Sequence, residues 1–375
     1  VDLDLNLNHS APRPVRADFG IGAVGAGFIM RDVQLESYRR AGFKVVGITS
    51  RTPEIARGVA DRYGLPKFYD TLSEMLRDPE VEILDIAVPP ETQVEIVRQA
   101  VEHGPHLKGI LAQKPLAPDY RQAKQIVDMC KQRGLALTVN QNMRYDQSIR
   151  ALKTILERGY LGEAVLATIE MRAVPHWQSW LRDYKRLTLL NMSVHHIDTF
   201  RYLFGEPESI FLSARKDPRT QFPHEDGVCL YILEYENGVR ASAWDDTWVG
   251  PRTDQDSLNP YIKWRVGGTD GVAEGTIGWP HYPNHTPSTL TFMTMRAPNV
   301  WMKPHWSEVW FPDAFQGTMG ELMDSIVSGK ESPTSGRDNL NTMAIIDAGY
   351  LSLKEKRSVR IAEVIAAASV RIAAE

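Results

Sequence analysis

The chain has 375 residues, a formal net charge of −4, 43% apolar residues and 24% charged residues. That length carries two domains with real cores, and the balance is that of an ordinary globular protein. With no Lys/Arg-rich stripe and no apolar run of spanning length, nucleic acid and membrane are not expected partners.

Residues 1–17, with Pro12 and Pro14 among Asn, Asp and Ser, read as a flexible N-terminal arm that either wraps a neighbouring subunit or stays loose. The first residue is Val1 rather than Met, which leaves room for a removed leader. The stretch to Asp18 has no apolar core of a signal peptide, so a cytoplasmic location is the expectation.

From Phe19 to Thr138 the pattern alternates β and α. Strands are predicted at 19–24, 44–49, 83–88, 109–112 and 135–139. Helices are predicted at 28–41, 53–63, 71–77, 91–103 and 119–133. Continuous apolar strands such as Ile83–Val88 point to a parallel sheet buried on both faces. The βαβαβ order gives a doubly wound domain over 18–140.

The first strand runs into Gly25-x-Gly27 just before a helix, which leaves backbone N–H groups bare for a pyrophosphate. A plain βα turn would also use such a pair, and the third fingerprint position is Met30 rather than Gly or Ala. The second strand ends in Ser50-Arg51-Thr52, with no Asp or Glu to take the ribose hydroxyls. Ser50 and Arg51 suit a 2′-phosphate, which favours NADP or dual use over strict NAD.

A later strand ends in Ala112-Gln113-Lys114-Pro115, placing a lysine at the carboxyl end of a parallel strand. Desolvation there lowers a lysine pKa and suits it to exchange a proton with a substrate hydroxyl. The following proline fixes the backbone and is a candidate cis site. A surface Lys before a turn Pro is the plainer alternative. The last strand is followed by Asn140-Gln141-Asn142-Met143-Arg144-Tyr145. Its amides, guanidinium and phenol suit a polyhydroxylated ligand or the nicotinamide carboxamide, and equally a hydrogen-bonded hinge.

After Asn140 the pattern changes, and 141–375 reads as a substrate-binding and oligomerisation α/β domain. A helix is predicted at 146–158. Alternating runs at 164–173, 209–214, 228–235, 239–247, 261–267 and 290–295 give an open, mostly antiparallel sheet. Helices follow at 187–204, 315–328 and 338–354. A half-apolar sheet face left in water predicts a homodimer or homotetramer.

On the 187–204 helix Asn191 and His195 are four apart and share a face. His195 and Asp198 are three apart, but no third ligand stands at a helpful spacing, so no metal is expected. His196 reads as a structural histidine. Trp177, within His176-Trp177-Gln178-Ser179-Trp180, fits a sugar platform or a subunit contact. Cys130 and Cys229 form no framework or metal spacing.

Over about residues 18–360 the chain resembles the Gfo/Idh/MocA oxidoreductases, the glucose-fructose oxidoreductase and inositol dehydrogenase relatives. The resemblance rests on Ala23-Val24-Gly25-Ala26-Gly27-Phe28-Ile29, Gln113-Lys114-Pro115-Leu116-Ala117 and Leu190-Asn191-Met192-Ser193-Val194-His195. It implies an N-terminal Rossmann domain and a C-terminal α/β domain with an open sheet. It also implies NAD(P)-dependent hydride transfer at a secondary alcohol or hemiacetal carbon of a sugar, glycoside or polyol. Lys114 and His195 map to the family's lysine and histidine. Gly25, Gly27, Phe28, Ile29, Ser50, Arg51, Pro89, Gln93, Gln113, Lys114 and Asn142 are the expected cofactor contacts. Lys114, Arg144, Tyr145, Trp177, Asn191 and His195 are the expected substrate contacts.

Three positions depart from the family pattern. Asn191 stands for its Asp, Gln113 for its Glu, and Gln93 for a His often found after the proline loop. Proton transfer therefore falls to Lys114 and His195, and Asn191 can only orient a hydroxyl. Two alternatives stay open: glycoside cleavage through transient oxidation, and a non-catalytic sugar or dinucleotide sensor.

Overall fold

The computed structural model describes residues 3–173, 185–220, 222–247 and 260–374. Contacts divide the chain into two compact units. One takes Ala11–Asn142 with Phe311–Leu340, and the other takes Val1–Ser10, Met143–Trp310 and Asn341–Glu375. Where the sequence suggests an arm at 1–17 followed by domains at 18–140 and 141–375, the contacts join 1–10 to the second unit and 311–340 to the first.

The first unit is built on six parallel strands. These are β1 (Ile21–Val24), β2 (Val45–Thr49), β3 (Lys67–Phe68), β4 (Ile83–Ile86), β5 (Gly109–Ala112) and β6 (Ala136–Val139), in the order β3-β2-β1-β4-β5-β6. Strands β1, β4 and β5 are buried throughout, as their apolar runs require. The strand order reverses at β1 and β4, and the carboxyl ends beside that point form the ligand crevice of a doubly wound sheet.

The connecting helices are α1 (Leu35–Ala41), α2 (Pro53–Tyr63), α3 (Leu72–Arg77), α4 (Pro90–His103) and α5 (Tyr120–Arg133). Their ends follow local chemistry. Pro53 opens α2 and a left-handed Gly64 closes it, while Asp119 caps α5 by accepting from the Gln122 N–H. The helix expected from 28 begins instead as a π-helical segment, Ile29–Gln34, that runs into α1. The later helix α9 (Phe315–Ser328) returns to this unit, where Met319, Leu322 and Met323 join Phe19, Ile21 and Leu111 in one core.

The second unit holds α6 (Gln147–Glu157), β7 (Ala164–Arg172), α7 (Thr188–Asn191), α8 (Ser193–Phe204), β8 (Ser209–Arg215), β9 (Val228–Glu234) and β10 (Arg240–Asp246). It continues with β11 (Tyr261–Gly268), β12 (Gly271–Ile277), β13 (Thr289–Thr294), β14 (Ala297–Met302), β15 (Val359–Arg360) and α11 (Ile361–Ala374). The helix α10 (Gly336–Glu355) lies between α9 and β15 in the chain. The nine strands run β14-β13-β12-β11-β7-β10-β9-β8-β15, antiparallel except for β7 with β10. On its outer face Phe211 stands opposite Ile232, and both are exposed, as are Leu166 and Leu230.

The segment read as a flexible arm is pinned over residues 4–8. Arg158 donates to the Asp4 and Asn6 carbonyls at 2.6 and 2.8 Å, Arg150 donates to the Asn8 carbonyl, and Leu7 is buried. In the other unit the Val15 N–H donates to Asp324.

Candidate active site

At the end of β1 the two glycines do different work. Gly25 has φ +100°, and a Cβ there would sit 2.5 Å from the Ala87 carbonyl oxygen. Its N–H donates to the Thr49 carbonyl at 2.9 Å, so Gly25 is demanded by the fold. A Cβ on Gly27 would meet no described protein atom within 4 Å. The open space lies where the helix starts at Phe28 and Ile29, and the first-turn N–H groups of a helix lack intrahelical partners. Such a helix start beside open space suits an anionic group.

At the end of β2 the Ser50 hydroxyl donates to the Thr52 carbonyl at 2.7 Å, which closes a tight turn. Arg51 is exposed and forms no ion pair among the described residues. The strand end thus carries a cation and no carboxylate.

The ends of β4 and β5 hold Lys114 between two amides. Pro89 sits at the N-terminus of α4, and Gln93 reaches back from its first turn. The Gln93 oxygen accepts the Gln113 N–H at 2.8 Å, and its NH2 donates to the carbonyls of Gln113, Pro115 and Leu116 at 3.0, 2.9 and 3.2 Å. Gln93 is fully buried and its polar atoms are committed to this loop, so it is a brace for Lys114 rather than the expected cofactor contact. Gln113 behaves alike: its oxygen accepts the Lys114 N–H at 3.0 Å and its NH2 donates to Gln34 at 3.3 Å. Lys114–Pro115 is cis. Lys114 keeps part of its surface open, yet burial of its ammonium end pulls its pKa down to about 8.

Gln34, Asp85 and Tyr38 belong to no motif in the sequence. Gln34 donates to both oxygens of Asp85 at 2.9 and 2.8 Å, and the Tyr38 hydroxyl donates to Asp85 at 2.7 Å. The available signal is an Asp inside an otherwise apolar strand. After β6, Asn142 donates to the Asn140 carbonyl at 3.1 Å, and the Thr318 hydroxyl donates to the Asn140 side chain at 2.9 Å.

In the second unit the expected helix 187–204 is two helices, interrupted at Met192. Asn191 ends α7 and His195 lies in the first turn of α8, both buried. Asp226 holds the start of α7, accepting the N–H groups of Leu187, Thr188 and Leu189 at 2.7, 3.2 and 2.8 Å and the Tyr350 hydroxyl at 2.8 Å. Under α8, the Ser193 hydroxyl donates to Asp245, and His196 lies 3.0 Å from the same carboxylate. His196 is buried against that carboxylate. The His195 ring meets Trp310 edge-on at 5.7 Å.

Arg144 precedes α6 and donates through Nε and Nη2 to Asp198 at 2.6 and 2.7 Å, with both residues buried. That bidentate pair anchors α8 through two of the Arg144 nitrogens. Tyr145 is buried beside it in the 3₁₀ turn Asn142–Tyr145. Trp177 lies outside the described residues. Among the described residues no cluster of His, Cys, Asp and Glu could hold a metal, and no helix is long and apolar enough to cross a membrane.

Two family profiles match this chain. One is described as an oxidoreductase family with an NAD-binding Rossmann fold, over residues 19–141. The other is the GFO/IDH/MocA C-terminal domain, over residues 149–274. A D-apiose dehydrogenase of Paraburkholderia graminis is 26% identical over 346 residues, covering 90% of this chain and 88% of that protein. An Agrobacterium radiobacter oxidoreductase solved with NAD+, L-tartaric acid and magnesium superposes with a TM-score of 0.78 at 23% identity, over 92% of this chain and 99% of that one. A levoglucosan dehydrogenase solved with NADH superposes with a TM-score of 0.76 at 20% identity, over the same shares.

Proposed function

The chain belongs to the Gfo/Idh/MocA oxidoreductases, and from that premise we propose an NAD(P)-dependent dehydrogenase acting on a secondary alcohol or hemiacetal carbon of a sugar, glycoside or polyol. One observation carries the reading. A lysine with its pKa lowered to about 8 stands on the same strand-end edge as an open diphosphate cradle at Gly27. The sugar-directed names of the D-apiose and levoglucosan relatives support the substrate class.

The residues present fit a dinucleotide. Gly27 opens the backbone to the diphosphate, Gly25 holds the turn that places it, and Phe28 and Ile29 start the helix there. Ser50 and Arg51 suit a ribose 2′-phosphate, which favours NADP or dual use. Pro89, Lys114 and Asn142 follow the strand ends further along the edge. When bound, the nicotinamide supplies the acceptor for the hydride leaving the carbinol carbon. Neutral Lys114 takes the hydroxyl proton in oxidation and returns it in reduction. His195 is assigned a second proton-handling role. Asn191 orients a substrate hydroxyl by donating and accepting, with no proton of its own to exchange.

The exposed Phe211, Ile232 and Leu230 support burial of the open sheet against a second copy, giving a homodimer or homotetramer. A mass that stays monomeric at all concentrations in light scattering would contradict this. Two buried free thiols, Cys130 and Cys229, suit a cytoplasmic setting.

The function is tested by screening sugars, glycosides and polyols with NAD and NADP while following nicotinamide reduction. Net reduction with a carbohydrate alcohol is the expected result. Product formation without net reduction would indicate glycoside cleavage, and binding without turnover would indicate a sensor.

A further inference from the structure

The Lys114 backbone N–H is the outer end of a directional chain of hydrogen bonds. It donates to Gln113 Oε1, Gln113 Nε2 donates to Gln34 Oε1, and Gln34 Nε2 donates to Asp85. Gln34 and Asp85 have 0% exposure, and Gln113 has 8%. An amide has one accepting and one donating end and can turn over where its neighbours permit. Both Asp85 oxygens accept here, from Gln34 and from Tyr38, and above about pH 7 the ionised carboxylate can only accept. Asp85 thus draws the Gln34 NH2 toward itself and turns the Gln34 oxygen to Gln113. That oxygen takes the Gln113 NH2, which leaves the Gln113 oxygen for Lys114. Reversing either amide sets like against like in a dry interior, at a cost above that of the lost bond.

The chain also joins two parts of the crevice. Gln34 closes the π-helical segment that starts beside the glycine cradle, and π turns are frequent at functional sites. Burial lifts the Asp85 pKa to about 7, against the pull of its hydrogen bonds to Tyr38 and Gln34. A carboxylate inside a parallel sheet is costly, and donors aimed at it are what make it tolerable.

We infer that Asp85, acting through Gln34, is a positioning residue for Lys114, setting the orientation of the Gln113 amide that holds the lysine's backbone. This rests on the reading of Lys114 as the proton-transfer group. It gives a physical reason for Gln at 113, where the family usually has Glu. A glutamate there would turn a second oxygen onto the Gln34 oxygen, which Asp85 keeps from moving away.

The test is a double-mutant cycle on the full chain with Gln113→Glu and Asp85→Asn. Gln113→Glu should lower kcat by about tenfold while leaving KM and cofactor affinity within about twofold. In the cofactor-free protein it should also change the rate at which an amine-acylating reagent labels Lys114, read by peptide mass spectrometry, by about threefold or more. The Asp85→Asn change puts a donor as well as an acceptor beneath Gln34 and lets its amide turn over. Adding it to Gln113→Glu should therefore restore most of both effects. Additive effects in the double variant, or a Gln113→Glu enzyme with unchanged kcat and labelling, would overturn the inference. Should Asp85→Asn not fold, Gln34→Met cuts the same chain. It should lower kcat and shift labelling as Gln113→Glu does, and an unchanged Gln34→Met enzyme counts against the inference. Lys114→Ala separates the two claims. Retained turnover there removes the premise, whereas lost turnover beside silent amide variants removes only the role of Asp85.

Discussion

The carboxyl edge of the parallel sheet and the α7–α8 segment are built in opposite ways. Along the edge, chain direction does the placing: each parallel strand ends there, so Gly27, Arg51, Lys114 and Asn142 arrive on one side of the sheet because of where they stand in sequence. In the α7–α8 segment, distant charges do the placing. Asp226 fixes the start of α7, Asp245 lies under α8, and Arg144 clamps Asp198. The edge should therefore tolerate substitutions that change its chemistry, while α7–α8 should lose structure when one buried charge loses its partner.

Variants in the two regions should fail in different ways. Lys114→Ala should cut turnover by ~10²–10⁴-fold with cofactor affinity largely kept, as seen by steady-state kinetics and calorimetry, and His195→Ala should be comparably harmful. Near-normal turnover in both would leave the edge without its chemistry. Asp198→Ala removes the carboxylate that Arg144 holds through two hydrogen bonds and should cost ~3–5 kcal/mol in denaturant unfolding. A loss below ~1 kcal/mol would show that α8 does not depend on the pair.

The glycines sharpen the contrast within the edge itself. Gly27→Val should abolish dinucleotide binding in calorimetry while thermal stability holds, because its side chain points into open space. Gly25→Ala should instead destabilise by ~1–3 kcal/mol or more, from positive φ and a clash with the Ala87 carbonyl. Equal thermal losses would erase the distinction. The smallest effect belongs to Arg51→Ala, which should weaken NADP by about fivefold more than NAD, the worth of an exposed charged contact. Equal losses for both cofactors would remove Arg51 from the ribose.

What the sequence makes legible follows the same division. Gly25, Gly27 and Lys114 stand out because a strand, a turn and a residue type within a few positions define them. The roles of Gln93, Gln113 and Arg144 do not stand out. Polar groups look like ligand contacts until their internal partners are known, and Arg144 finds Asp198 54 residues away. The Gln34–Asp85 pair spans 51 residues and has no local signature. Among strands, β12 is missing from the predicted runs because Gly271 and Gly275 dilute its alternation, yet a Cβ at Gly275 would strike the Thr289 carbonyl oxygen and Trp264. The break at Met192 is hidden by an unbroken apolar pattern.

Lys114 also links stability to function. Its folded pKa, about 8, lies below the ordinary lysine value of 10.5, so the unfolded chain holds that proton more tightly between these limits. The penalty is full below about pH 8 and fades as pH rises toward 10.5. Lys114→Met should therefore melt higher than the parent at neutral pH while losing turnover.

The pH dependence of turnover in both directions is the most direct test that Lys114 moves the proton. Oxidation needs the neutral amine, so its rate should rise through about pH 8 and level off above it. Reduction needs the ammonium, so its rate should fall through the same pH. Both limbs should vanish from the residual activity of Lys114→Met. A profile flat near pH 8, or a limb that persists in Lys114→Met, would contradict the account.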